Sequence, residues 1–130
     1  MSVPQLSGPS LAPKSGDAAK QVLILLHGIG ADGNDLIGLA PFYQMVLPDA
    51  AIVAPNAPLP FEMAPFGYQW FSIQNMQART RLNGVRQAAP ALDAYIDTHL
   101  NRLGLSEDRL ALIGFSQGAM MALHVGLRRD

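Results

Sequence analysis

The sequence predicts an α/β fold: a mostly parallel sheet flanked by helices. Three observations carry that expectation. Runs of strand length at 22–26, 51–54 and 110–113 are bounded by Gly, Pro or polar residues. Each run is apolar throughout rather than alternating, as expected of parallel strands covered on both faces. Between the runs, apolar residues return at helical intervals, so the order reads strand, helix, strand, helix, strand, helix.

Composition narrows the function classes. The 130 residues are 49% hydrophobic and 15% charged, enough for one buried core. A net charge of −1 gives no reason to expect nucleic acid or an anionic membrane as partner. Cys is absent, which excludes disulfides, thiolate metal sites and a cysteine nucleophile within these residues. The N-terminus has no basic segment followed by an apolar stretch, and the run 22–26 is far too short to span a bilayer, so no stable membrane insertion is expected. The expected location is cytoplasmic.

Taken in order, residues 1–20 are rich in Pro, Gly and Ser and read as an irregular N-terminal segment with a turn near Gly16 and Asp17. Residues 21–130 read as one domain. Its first strand, 22–26, runs into a glycine loop at His27, Gly28, Gly30 and Gly33. Asn34 or Asp35 is the expected cap of a helix carrying Leu36, Ile37, Leu39 and Ala40, which Pro41 ends or kinks. The strand 51–54 stops at Pro55. Residues 59–74 read as a loop holding Phe61, Met63, Phe66, Tyr68, Trp70 and Phe71. Residues 79–103 read as a long helix with Pro90 inside it and Gly104 at its end. A polar turn at Ser106–Asp108 leads to the strand 110–113, and a last helix runs on to Arg129.

Two stretches carry chemistry. Gly114-Phe115-Ser116-Gln117-Gly118 follows a strand and opens a helix, the context of a G-x-S-x-G turn that lifts a serine hydroxyl above a sheet. Glycines flank the serine because a Cβ there would press strand against helix. The amide after the serine, at Gln117, and one from the glycine loop are then the natural donors to a substrate oxyanion. The glycine loop also matches G-x-G-x-x-G at Gly28, Gly30 and Gly33, but no acidic residue stands about twenty positions on, where a dinucleotide site needs one. Pro55-Asn56-Ala57-Pro58 stands there instead, and the nucleotide reading ranks lower.

Leu26-His27-Gly28-Ile29-Gly30-Ala31-Asp32-Gly33, Pro55-Asn56-Ala57-Pro58, Trp70-Phe71 and Gly114-Phe115-Ser116-Gln117-Gly118-Ala119 together resemble the carboxylesterase, lysophospholipase and acyl-protein thioesterase family of α/β-hydrolases. The resemblance spans nearly the whole chain. It implies an α/β-hydrolase-type sheet, Ser116 as nucleophile, the Ile29 and Gln117 backbone amides as oxyanion hole, and a substrate groove shaped by Trp70, Phe71 and Phe115. It implies hydrolysis of esters or thioesters in small or acylated substrates, with no cofactor and no metal. The family pattern often has Asp after the Trp-aromatic pair, where this chain has Ser72.

A serine nucleophile needs a base, and the base needs an orienting carboxylate, in the chain order Ser, acid, His. After Ser116 the candidates are His124 and Asp130. Eight residues along a helix place His124 about 12 Å from Ser116, too far for a hydrogen bond. His27 belongs to the glycine loop and is expected to order it; His99 sits late on the long helix. The acid and base are therefore expected beyond Asp130, and the chain reads as the N-terminal part of a longer enzyme, its sheet incomplete on the C-terminal side. The competing class is a non-catalytic fragment or pseudoenzyme that binds a lipid or protein partner. The strand 110–113 is expected at the sheet edge, where unpaired backbone favours self-association. Sedimentation of the isolated 130-residue chain should show concentration-dependent association; a monomer with a sharp thermal transition contradicts that expectation.

Overall fold

The computed structural model describes residues 3–74 and 77–129. In chain order these form β1 (Ser10–Leu11), β2 (Gln21–Leu26), α1 (Gly33–Ile37), α2 (Ala40–Val46), β3 (Ala50–Val53), β4 (Leu59–Pro60), β5 (Tyr68–Gln69), α3 (Ala78–Leu103), β6 (Leu110–Gly114) and α4 (Gln117–Gly126). The main sheet has the order β1-β3-β2-β6. β2 pairs in parallel with both β3 and β6, so Ile24 lies between Val53 and Leu112, while β1 joins β3 antiparallel. The expected sequence of strands and helices holds, and β2 is central as its apolar run requires.

The pleat divides the core. Val22, Ile24 and Leu26 face a layer formed with Trp70, Leu92, Ile96, Met121 and Val125, largely from α3 and α4. Leu23 and Leu25 face the opposite layer, with Ala40, Ala50 and Ile52 and the partly buried Leu36, Ile37 and Tyr43. Alternate residues of one strand thus bury into two different cores, which is why β2 is apolar at every position after Gln21.

Four local expectations change. The 1–20 segment is not irregular throughout: β1 lies in it, and Asn56 and Ala54 donate backbone hydrogen bonds to Ser7 and Pro9 (2.7 and 3.0 Å). Its residues Met1 and Ser2, like Asp130, fall outside the described residues. The cap of α1 is Asp32, not Asn34 or Asp35, because Asp35 sits at the third helical position and returns the bond to Asp32 in a capping box. Pro41 opens α2 instead of ending a helix, since its missing N–H is one that a first turn leaves unpaired anyway. The loop 59–74 contains a small antiparallel hairpin of β4 and β5. By contrast, α3 passes through Pro90 over 26 residues and ends at Gly104 in a left-handed conformation.

The C-terminal end of α4 is held by an ionic clasp. Arg129 bonds Asp93 (2.8 Å) and Asp97 (2.6 Å) on α3, and Glu107 before β6. The guanidinium is mostly covered and its three partners are half exposed, so the net gain is modest although the geometry is multidentate. Arg129→Ala leaves three carboxylates facing one another. It should lower stability by about 1–2 kcal/mol in urea denaturation, with no change in the slope m.

Candidate active site

The site grows from the way β6 meets α4. Phe115 N–H donates to Leu26 O (3.0 Å), carrying the β2–β6 pairing one residue past β6. Ser116 then takes φ 55° and ψ −117°, the one positive φ outside glycine among the described residues. Such backbone is held only where the surroundings over-determine it. Here they do: Gly118 donates to Phe115 O (2.9 Å) and Ala119 to Ser116 O (2.9 Å), closing the turn as α4 begins.

Glycine is needed on the far side of the turn. A Cβ on Gly118 would collide with the carbonyl oxygens of Leu26 and His27, where β2 ends. The same approach brings the glycine loop to the serine: a Cβ on Gly28 would stand 3.2 Å from the Ser116 Cβ. Ser116 itself is exposed. Gln117 is the first residue of α4, where an amide has no intrahelical acceptor. In the glycine loop, Gly30 N–H goes to Tyr68 O (2.8 Å) and Ala31 N–H to Gly28 O (3.2 Å). The Ile29 amide makes no backbone hydrogen bond among the described residues.

His27 orders the loop, as expected. It is fully buried. Its Nε2 accepts the Ala57 N–H (2.9 Å), so Nδ1 carries the proton and donates to Gly28 O (2.6 Å). Both ring nitrogens are committed, and burial holds the imidazole below its ordinary pKa despite Asp32 and Asp35 nearby. The Pro55–Pro58 stretch is thereby tied to the site; Asn56 Oδ1 also accepts from Gly33 N–H (2.8 Å).

Trp70 and Phe71, expected to shape the groove, lie largely inside the fold. Both are buried, at 1% and 4% exposure. The Trp70 indole N–H donates to His27 O (2.9 Å), and its ring lies tilted against the imidazole, with centroids 5.8 Å apart. An aromatic pair at the end of a connection reads as a substrate surface in sequence, but here its apolar faces complete the core. Both residues also line a cavity of about 450 Å3 with Pro58, Leu59, Asn83 and Gln87, which Ser116 does not line. Phe115, beside the serine, is 40% exposed. Ser72, where the related pattern often has Asp, donates to the Glu62 carboxylate (2.7 Å).

The sequence reading left out the side chain of Gln117. It is buried, its Oε1 accepts Trp70 N–H (2.9 Å), and its Nε2 donates to Phe71 O (2.9 Å). A Gln at the start of an otherwise apolar helix was the available signal. No imidazole or carboxylate hydrogen-bonds Ser116 among the described residues. His99 packs on Tyr95 and meets Arg102, and His124 lies on α4 near Arg128 and Arg86. No cluster of metal-ligating side chains, and no helix long and apolar enough to cross a membrane, occurs among the described residues.

A strand–strained serine–helix turn on a parallel sheet, with a glycine loop against it, defines an α/β-hydrolase core. The chain belongs to the phospholipase/carboxylesterase family, whose model matches residues 11–130. It is 32% identical over 105 residues to an esterase of Escherichia coli, covering 81% of this chain and 45% of that protein. To an acyl-protein thioesterase 1 of Kluyveromyces lactis it is 31% identical over 113 residues, covering 81% and 49%. It superposes on the crystal structure of esterase PE8 with TM-score 0.90 and 47% identity, over 96% of this chain and 59% of that one. A carboxylesterase from Mesorhizobium loti gives TM-score 0.69 at 26% identity, over 96% and 56%. The chain thus spans about half the length of the curated relatives it matches.

Two expectations follow from this geometry. Gly118→Ala should destabilise by more than about 3 kcal/mol in chemical denaturation, because the new methyl meets backbone rather than a movable side chain. For His27, a folded pKa below the unfolded value means the unfolded chain binds the extra proton. Its contribution is complete above about 6.5 and is lost as pH falls below that. Melting temperature should therefore drop between pH 7.5 and 5, and less steeply in His27→Gln.

Proposed function

We propose that Ser116 is the nucleophile of a serine hydrolase that cleaves carboxylic esters or thioesters through an acyl-enzyme. The observation that carries this reading is the exposed Ser116 held at positive φ against the glycine loop. Oγ attacks the acyl carbonyl and its proton passes to a base. Charge collects on the carbonyl oxygen, which in this reading the Ile29 and Gln117 amides receive. The bond to the leaving alcohol or thiol breaks as that group takes the proton, and water then releases the acid and frees Oγ. Phe115, half exposed beside the serine, is the side chain best placed to meet the acyl group; Trp70 and Phe71 act from beneath.

The base and its carboxylate belong, in this reading, to sequence beyond Asp130. Both His27 nitrogens are occupied, and neither His99 nor His124 is bonded to the serine. The relatives named esterase and acyl-protein thioesterase point to small-molecule esters or acylated proteins as substrate class. Self-association is part of the same proposal: β6 ends the sheet order, and Leu123 and Leu127 on the following helix are exposed.

A fluorophosphonate probe tests the chemistry. It should label the full-length protein at Ser116, and Ser116→Ala should abolish labelling and lower p-nitrophenyl ester turnover by at least about 10³-fold. An unlabelled wild type overturns the reading and leaves the non-catalytic one standing.

A further inference from the structure

We propose that the Gln117 side chain is a positioning residue that holds the two oxyanion amides in register. The inference rests on the serine-hydrolase reading and adds to it a group that acts through its carboxamide, apart from the Gln117 backbone N–H.

The chemistry of the pocket selects a primary amide. On one side stands a donor, Trp70 N–H; on the other an acceptor, Phe71 O; each is 2.9 Å from the carboxamide. A neutral carboxamide offers an acceptor oxygen and a donor nitrogen on separate atoms of one plane, which an ionised carboxylate, a single hydroxyl or an alkyl chain does not. The group is 3% exposed, so water is not at hand to replace it. Its two bonds reach consecutive residues 46 or 47 positions earlier in the chain, so they fasten the hairpin connection to the first turn of α4.

Those bonds are part of a circuit between the two donors. From the Gln117 N–H the path runs through its own side chain to Trp70. The Trp70 indole N–H continues it to His27 O (2.9 Å), and two residues further lies the Ile29 N–H. Pairing of β2 with β6 stops at Leu26 and Gly114, with one more bond from Phe115 to Leu26. Beyond that point the glycine loop is no longer fixed by the sheet. It is held by Trp70, by His27 on Ala57, and by the exchange of bonds between Gly30, Ala31 and Tyr68. Among the described residues, the Gln117 carboxamide gives the hydrogen bonds that join this assembly to the residue carrying the other oxyanion donor, beside the packing of Gly118 on the Leu26 and His27 carbonyls. Loss of it frees the spacing between donors while the sheet and the elbow glycines stay as they are. A misplacement on the order of 1 Å at such donors can slow the chemical step by about 100-fold.

The test uses the full-length protein with Gln117→Met and Gln117→Glu, measured with a p-nitrophenyl ester and with a boronic acid, which becomes tetrahedral on the serine. Gln117→Met should lose about 10- to 100-fold in kcat with KM within about twofold, and bind the boronic acid more weakly by a similar factor. Gln117→Glu should show the same deficit at pH 8. As pH falls, the buried carboxyl takes up a proton and again has one donor and one acceptor, so its rate relative to wild type should rise. The titrating groups beside the segment are His27, held neutral by burial, and the exposed Glu62 at Ser72; both are present in wild type, and the ratio removes them. Wild-type kcat in Gln117→Met with only a lower melting temperature overturns the proposal, as does a Glu-to-wild-type ratio that stays flat with pH. Should the Met variant fail to fold, the Glu ratio decides. A wild type that turns over while the variants match it removes this inference alone. A wild type that is never acylated at Ser116 removes the hydrolase reading and this inference with it.

Discussion

The rest of the structure depends on one close approach. The first turn of α4 comes so near the exit of β2 that Gly118 sits against the Leu26 and His27 carbonyls with no room for a Cβ. That approach forces the serine before it into positive φ, leaves its side chain exposed, and sets the glycine loop against it. A wider gap would allow a relaxed turn, and the hydroxyl would lie down on the sheet. Strain at Ser116 is therefore maintained by packing elsewhere, above all by the buried residues Val22–Leu26 of β2 and by Met121 and Val125 of α4.

Around that approach the polar groups are arranged so that none pulls the backbone out of place. Buried amides and carbonyls at a strand end are costly unless paired. Here His27, Trp70, Gln117 and Asn56 serve as partners for backbone groups of loops distant in sequence. Each is a side chain with a fixed donor or acceptor pattern, and each is aimed at main chain rather than at the exposed serine. The result is a hydrogen-bonded floor beneath the exposed serine.

The family membership fits this division of labour. The similarity to esterases and an acyl-protein thioesterase covers most of this chain and about half of each relative. What these residues contain is part of an α/β-hydrolase core: sheet, strained serine turn and glycine loop. β6 is the last strand in the sheet order, and the helix after it keeps Leu123 and Leu127 in the open.

Much of this was legible in the linear chain, because the signals involved are local. The apolar run of β2 announces burial on two faces, and Gly114-x-Ser116-x-Gly118 between a strand and a helix announces the turn. His27 was legible as a loop residue for the same reason, since it adjoins the glycines it orders. What stayed hidden depends on partners far away in sequence. The cap at Asp32 needed the reciprocal bond from Asp35; β1 needed an edge of β3 to lie against. Trp70 and Phe71 read as a substrate wall in sequence, and only the fold shows that they are buried beside His27 while also lining a cavity. The Gln117 carboxamide gives no hint of its role until the connection that precedes α3 is folded back over α4. Periodicity and turn chemistry report what one segment prefers; which groups meet across 46 intervening positions is settled only when the layers close.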